Sequence, residues 1–484
     1  MPKPSLRLLS RNEVKLIHEK GLELLESVGV FIDNDNVLSL FKERDIDVKG
    51  KVAFIPKDFI ERALTKVKRE IVLYDREGKP YAILGRDSSY FNPGSAATKL
   101  LDHKKHTIRK PLMNDLISLA ILVDSLEHIA LQSTALVPGD VPVRLRDRVR
   151  IYPILKYSTK PIITGAFTVD GVYDMINMLK IVVDDICSKP LAIFDVCPSP
   201  PLKWSKITSQ NLVDCVKAGV PIEIIPMPQM GGTSPVTIAG SLIQHHAEVL
   251  SGIAIASLVR DDPSVIYGGS PCLIDMRYGT SPIVTPETLL LSTAYIEVAK
   301  FLGLPTHTYM GLSDTLSLDY QAGFETGISA LIGLLLRANV ISGPGMLEFE
   351  STFSFEKLTL DNEICGMLFR YLRGIDLDEA HLAIDVFREV VHVSSFLKHR
   401  HTLRMFRKEL FFPRLLERLP RSLWQRRGKL SLMDKVEEEI LKRLRTHEYQ
   451  VLPPDIEREL DRYFLDMCRR HGTIKHSNID RFTR

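Results

Sequence analysis

From residue 89 onward, short apolar runs that end in small, proline or polar residues recur, each followed by a stretch with helical spacing. About eight runs stand out, at 89–94, 129–137, 161–167, 191–197, 221–225, 264–269, 305–310 and 339–346. The helical stretches between them include 112–123, 171–183, 211–217, 236–259, 286–301 and 320–337. Near-continuous apolar strands alternating with helices indicate a parallel sheet covered by helices. About eight such units over roughly 260 residues match an α/β fold of the (β/α)8 TIM-barrel type in number and size. A doubly wound open sheet is the rival, but no glycine fingerprint for a dinucleotide follows the first strand. The breaks fall where capping chemistry puts them. Thr285-Pro286-Glu287 supplies an N-cap, a first-turn proline and a first-turn acid, and Gly219 and Gly303 end helices.

The barrel spans 86–374. Residues 1–85 read as an N-terminal α+β cap, with helices at 12–28 and 56–67 and short strands at 52–56 and 71–75. After Arg373-Gly374 the composition changes, and 375–484 reads as a C-terminal helical extension. It comprises an acidic amphipathic helix over 376–391, a segment from Lys398 to Arg418 that mixes aromatics with arginines, and two charged helices separated by Pro453-Pro454. The basic segment is either a solvated face or a docking surface for a protein partner.

Charge and cysteine usage narrow the class. Lys and Arg number 63 against 60 Asp and Glu, a net charge of +3 that argues against general nucleic-acid binding. The most apolar stretch, 236–259, contains Gln244, His245, His246 and Glu248 and so predicts a buried helix, not a membrane span. The first residues lack the apolar core of a signal peptide, and six scattered cysteines without a CxxC pair fit a reducing cytoplasm. A cytoplasmic protein is expected.

In a barrel the chemistry lies at the C-terminal ends of the strands. The residues there include Tyr90, Phe91, Phe167, Asp195, Glu223, Gln229, Arg277, His307, Tyr309, Asp314, Met346, Glu348 and Phe353. Aromatics, methionines and carboxylates predominate, and phosphate-binding glycine loops are missing. Such a set suits a cation that cannot donate hydrogen bonds, because ring faces hold quaternary ammonium groups. Tyr90, Phe91, Tyr309, Phe353 and Phe355 are candidates for the cage. Gln321 and Glu325 share one helix face. No HxxxH, HExxH or cysteine cluster appears, so no protein-bound metal is expected.

Several spaced motifs give a more specific reading. Gly268-Gly269 through Asp275-Met-Arg-Tyr-Gly279, Asp319-Tyr-Gln-Ala-Gly-Phe-Glu325, Gly343-Pro-Gly-Met-Leu-Glu348 with Leu360-Asp-Asn-Glu-Ile364, and His401-Thr-Leu-Arg404 occur in this order. In these the chain resembles the trimethylamine methyltransferase superfamily, on the branch that lacks pyrrolysine and demethylates quaternary amines such as glycine betaine. The resemblance covers most of the chain. It implies a barrel that passes a substrate methyl group to the Co(I) corrinoid (cobalamin) of a separate corrinoid protein, which then feeds a further methyltransferase. Barrels of this kind often pair into homo-oligomers.

Within that reading Tyr90, Phe91, Phe353 and Phe355 are expected at the cation, and Arg277 and His307 at a substrate carboxylate. Glu223, Gln229, Tyr309, Gln321, Glu325 and Met346 complete the expected substrate site, and no residue is assigned a catalytic role. Glu348 would disfavour a carboxylate and suit a second cation or a hydroxyl. The alternative is a non-catalytic barrel that binds a quaternary amine without turnover.

Overall fold

The structure, a computed structural model, describes residues 3–102, 105, 107–392 and 395–471. Eight short strands run parallel through its centre and are numbered in chain order: β1 Tyr90–Asn92, β2 Gln132–Ser133, β3 Ile162–Thr164, β4 Ala192–Val196, β5 Ile222–Ile224, β6 Val265–Tyr267, β7 His307–Tyr309 and β8 Val340–Ser342. Strands β2 to β6 form a five-stranded parallel sheet in chain order, with Phe194 opposite Ile222 and Glu223 opposite Ile266. Strands β7, β8 and β1 form a second, three-stranded parallel sheet in which His307 stands opposite Val340 and Ile341 opposite Phe91. The two sheets meet at thin seams. At one, Tyr267 N donates to Pro305 O at 2.8 Å beside an isolated parallel bridge to Thr306. At the other, Ala130 N and Leu131 N donate to Phe91 O at 2.9 and 3.1 Å. The α/β class holds, but the expected barrel is present as two sheets and not as one continuous ladder.

Strand alternation separates two environments. Leu131, Ile163, Ile193, Ile266 and Val340 form an apolar floor inside the strands, closed by Ile71, Leu73, Ala82 and Leu84 of the hairpin Ile71–Tyr74 and Pro80–Leu84. The opposite faces pack Phe194, Ile222, Ile224 and Ile341 against helices in the main core. One of these helices, Ile238–Val259, is long and apolar enough to span a membrane, yet 78% of its most apolar window is buried in the protein. His245, His246 and Glu248 lie on it and are fully buried.

The N-terminal section docks on that helix. Helix Arg11–Ser27 begins with a capping box, Ser10 with Glu13. His18 Nδ1 lies 2.9 Å from His246 Nε2, whose ring continues to Tyr267 Oη, also at 2.9 Å. Gly21 allows this approach, since a Cβ there would fall 2.5 Å from His246 Cδ2.

The extension differs in detail from expectation. The helix expected at 376–391 is two short helices, Glu379–Leu382 and Ile384–Val390, broken at Ala383 with φ of 54°. Helices Leu432–Thr446 and Pro454–His471 flank Pro453 as expected, and the chain from 472 to 484 lies outside the described residues. The basic segment is held where Arg370 and Arg373 bind Glu409, Arg414 pairs with Glu127 at 2.7 Å and Phe411 packs on His128. Glu127 and His128 lead into β2, so this segment sits at the N-terminal end of the strands.

Candidate functional site

A cavity of about 460 Å³ opens at the other end, where the strands finish. Ser95 and Ala96 follow β1, Gly165 to Phe167 follow β3, Asp195 to Cys197 end β4, Ile225 and Met227 follow β5, Tyr309 ends β7 and Glu350 follows β8. Parallel strands deliver their loops to one such crevice, which is why ligands bind there. Arg150 enters from a short helical turn, Arg148–Arg150, after β2.

Two stretches of left-handed backbone border the cavity. Ala96 has φ of 63°, and Glu348, Phe349 and Glu350 have φ of 49°, 55° and 64° in succession. Side chains resist this conformation, each residue costing about 1 kcal/mol or more, so it persists where surrounding contacts impose it. Here Glu348 is held by Lys99 at 2.7 Å and by Thr352. The turn therefore sends Glu348 outward to Lys99 and Glu350 inward to the cavity.

The interior is acidic and short of partners. Glu223 is fully buried on β5, where its carboxyl has the Asp195 carboxyl as neighbour and no other donor, and Asp195 Oδ1 and Glu350 Oε1 are also buried without a donor. Burial, then the neighbouring Asp195, holds the Glu223 carboxyl well above its usual range. Burial raises Asp195, and burial followed by Asp195 and Asp314 raises Glu350. Desolvation disfavours the charged form and like charges add to it.

Arg150 is the cation among the cavity-lining residues. It donates to Thr134 O at 2.6 Å, to Gly165 O at 2.7 Å and to Asp147 O at 3.3 Å, and it lies 4.5 Å over the Phe167 ring. Burial lowers it to about 10, which leaves it protonated at neutral pH.

Beneath the cavity His307 is neutral, its pKa lowered to about 3 by burial. Ser342 Oγ donates to Asn92 Oδ1 at 2.7 Å, so at 2.8 Å it accepts from His307 Nε2–H, and Nδ1 is the unprotonated nitrogen. Glu223 Oε1 stands 3.9 Å from Nε2.

Of the residues expected from sequence, Phe167, Asp195, Glu223, His307 and Tyr309 are brought together here. The others are placed elsewhere. Tyr90 starts its strand, so its ring joins the floor and its hydroxyl accepts from Ile83 N at 3.1 Å. Phe91 points outward and meets Phe369 edge to face at 5.5 Å. Arg277 is 78% exposed and paired with Asp275 at 2.7 Å. Gln229 donates to Ser281, and Gln321 donates to Glu325 at 2.9 Å. Glu325 in turn accepts from Ser313 Oγ at 2.6 Å and Asp314 N at 2.8 Å, fixing the loop after β7. Met346 and Phe353 are buried partners in a small sheet behind the cavity, and Phe355 starts the next helix against Phe353.

Arg150 and Glu350 were not expected at the site. Arg150 lies beyond the strand end in a helical turn, and Glu350 depends on a left-handed turn without glycine. Among the described residues, Asp376, His381 and Glu409 converge as potential metal ligands, but Glu409 is already bound by two arginines.

The family described as trimethylamine methyltransferase (MTTB) matches residues 1–472. Glycine betaine methyltransferase from Desulfitobacterium hafniense is 30% identical over 428 residues, covering 87% of this chain and 89% of that protein. Trimethylamine methyltransferase MttB from Methanosarcina thermophila is 30% identical over 471 residues, covering 94% and 96%. The fold is also similar to the crystal structure of the Methanosarcina barkeri monomethylamine methyltransferase MtmB, with a TM-score of 0.52 at 11% identity over 91% of this chain and 89% of that one. The chain belongs to the trimethylamine methyltransferase family.

Proposed function

We propose that this protein moves a methyl group from a quaternary or tertiary methylamine, such as a betaine, to the Co(I) corrinoid of a partner corrinoid protein. The observation that carries this reading is a cavity lined by carboxyl groups and ring faces whose one guanidinium is already engaged. Such a cavity calls for a ligand that brings its own positive charge and needs no hydrogen bond at the charged atom.

The two sheets are best read as arcs of one (β/α)8 ring, closed by the seams at Tyr267 and Phe91. Residues 86–374 then form the catalytic unit, with 1–85 and 375–484 around it.

The corrinoid on a docked carrier supplies an electron pair that accepts the methyl group. The N–C bonding pair stays on nitrogen, so a quaternary donor leaves as a neutral tertiary amine and needs no acid at the leaving atom. What this chain must do is hold and aim the cation. Tyr309 and Phe167 offer ring faces, and Asp195 and Glu350 offer carboxyl groups whose ionised form a bound cation would favour. The Glu223, His307, Ser342 and Asn92 side chains build the polar base beneath. Excessive stabilisation of the cation would favour bound substrate over the transition state. Carboxyls that share their charge with Arg150 limit that effect.

A carrier has a suitable landing surface. Phe167, Met227, Val236, Met276, Tyr278 and Leu316 are exposed on loops that follow β3, β5, β6 and β7, and Tyr320, 86% exposed, starts the helix Tyr320–Leu335. Exposed apolar residues gathered at one end mark an interaction site and fit a broad macrocycle on a partner protein. The basic segment from Lys398 to Arg418 lies at the far end, away from such a partner.

The test uses a methyl-labelled quaternary amine with separately purified reduced carrier. Label on the corrinoid after re-isolation supports the reading. Saturable amine binding with no label transferred would favour the non-catalytic alternative.

A further inference from the structure

The methyl-transfer reading leaves the substrate's other arm open, and the following inference rests on that reading. Three features of the cavity bear on the arm. Asp195 and Glu350 line it together, each with a buried oxygen that has no partner. Glu350 as a residue is only partly buried, because its remaining surface faces the cavity, while Oε1 is shut off from solvent. Arg150 is committed to three backbone carbonyls. Arg277, the arginine expected at a substrate carboxylate, is outside and paired with Asp275.

A carboxylate arm entering this space would meet two acids and no free cation. A hydroxyl arm would instead donate to Glu350 through the carboxyl surface it leaves open to the cavity. Discrimination of this kind needs only one unfavourable placement, since a further carboxylate beside two acids either adds like charge or forces protons to be held there, and unpaired polar groups are costly inside a cavity. The three-residue left-handed turn at Glu348–Glu350 is the device that presents the acid. We propose that Glu350 sets specificity, and that this protein takes a methylated ammonium whose remaining arm is a neutral hydrogen-bond donor such as a hydroxyl, not a carboxylate.

The experiment is titration calorimetry of the full chain with choline and with glycine betaine, for the wild type, Glu350→Gln and Glu350→Ala. Choline is expected to bind the wild type at least about tenfold more tightly, and each variant to narrow that ratio to about threefold or less. Equal or tighter binding of glycine betaine by the wild type overturns the proposal, as does a ratio unchanged in both folded variants. If a variant fails to fold, the wild-type ratio still decides. If trimethylamine and proline betaine are titrated alongside, absence of binding by all four would overturn the methyl-transfer reading itself, which separates the two failures.

Discussion

Tyr309 and His307 point inward from the same strand, two residues apart, and their rings meet edge to face with centroids 4.8 Å apart at 82°. His307 is fixed by Ser342, so Tyr309 is fixed in turn, with its ring at the cavity. Burial, followed by Asp195 and the two nearby glutamates, raises the phenol and keeps it neutral. Its contribution to a cation is therefore the ring face. Tyr309→Phe should keep affinity for a quaternary amine, and Tyr309→Ala should lower it about 3–30-fold, the range of one cation–π contact. Titration calorimetry reads both. Equal loss in the two variants would assign the role to the hydroxyl.

The approach of the Met346 loop depends on Gly94. A Cβ at Gly94 would lie 2.3 Å from Met346 Cγ and 3.0 Å from its Cε. Gly94→Ala should destabilise the fold by about 1–3 kcal/mol, the usual range for overpacking. Met346→Ala in the same chain should recover part of that loss. Denaturant unfolding of the two single variants and the double variant measures the coupling.

These two sites show what sequence can and cannot reveal. Alternating apolar runs located all eight parallel strands, because pairing and burial impose a pattern on residue type. They also placed Glu223, His307 and Tyr309 near strand ends. The error at Tyr90 came from strand direction, since the residue begins its strand and faces the floor. Phe91 failed by one position, which in a strand reverses the face. Glu348 and Glu350 are chemically identical, and only the backbone turn tells which one enters the cavity. Arg150 reaches the site through a helical turn that leaves no periodic trace.

Glu248 makes stability depend on pH. It is fully buried on helix Ile238–Val259, and burial raises it from 4.5 to about 7 despite hydrogen bonds from Leu202 N and Gln244. Between those values the unfolded chain has lost this proton and the folded chain retains it. Its unfavourable effect is therefore absent below about 4.5, grows up to about 7 and is complete above it, on the order of 3 kcal/mol. Glu248→Gln should raise the melting temperature more at pH 8 than at pH 5. His245 and His307, lowered to about 3, act in the opposite direction and weaken the fold as pH falls below 6.5.

The apolar rim and the basic segment make separable predictions about the carrier. Tyr320→Ala combined with Met276→Ala should slow methyl transfer to carrier-bound corrinoid about tenfold and spare free cobalamin, because the lost contacts belong to docking. Arg404→Glu with Arg407→Glu should leave both acceptors unaffected, since these exposed side chains lie on helix Arg400–Glu409 at the opposite end of the strands. Stopped-flow spectra with each acceptor distinguish the two surfaces. A selective loss in the arginine variant would move the docking site to the extension.

The most direct measurement is an anoxic spectral assay of purified protein with free cob(I)alamin and a panel of methylated amines. The panel comprises choline, carnitine, glycine betaine, proline betaine and trimethylamine. Conversion of cob(I)alamin to methylcobalamin with at least one quaternary amine, together with loss of activity in Glu223→Gln, is the predicted result. No methylcobalamin from any of them, with folded protein and with the cognate carrier supplied, would contradict the account.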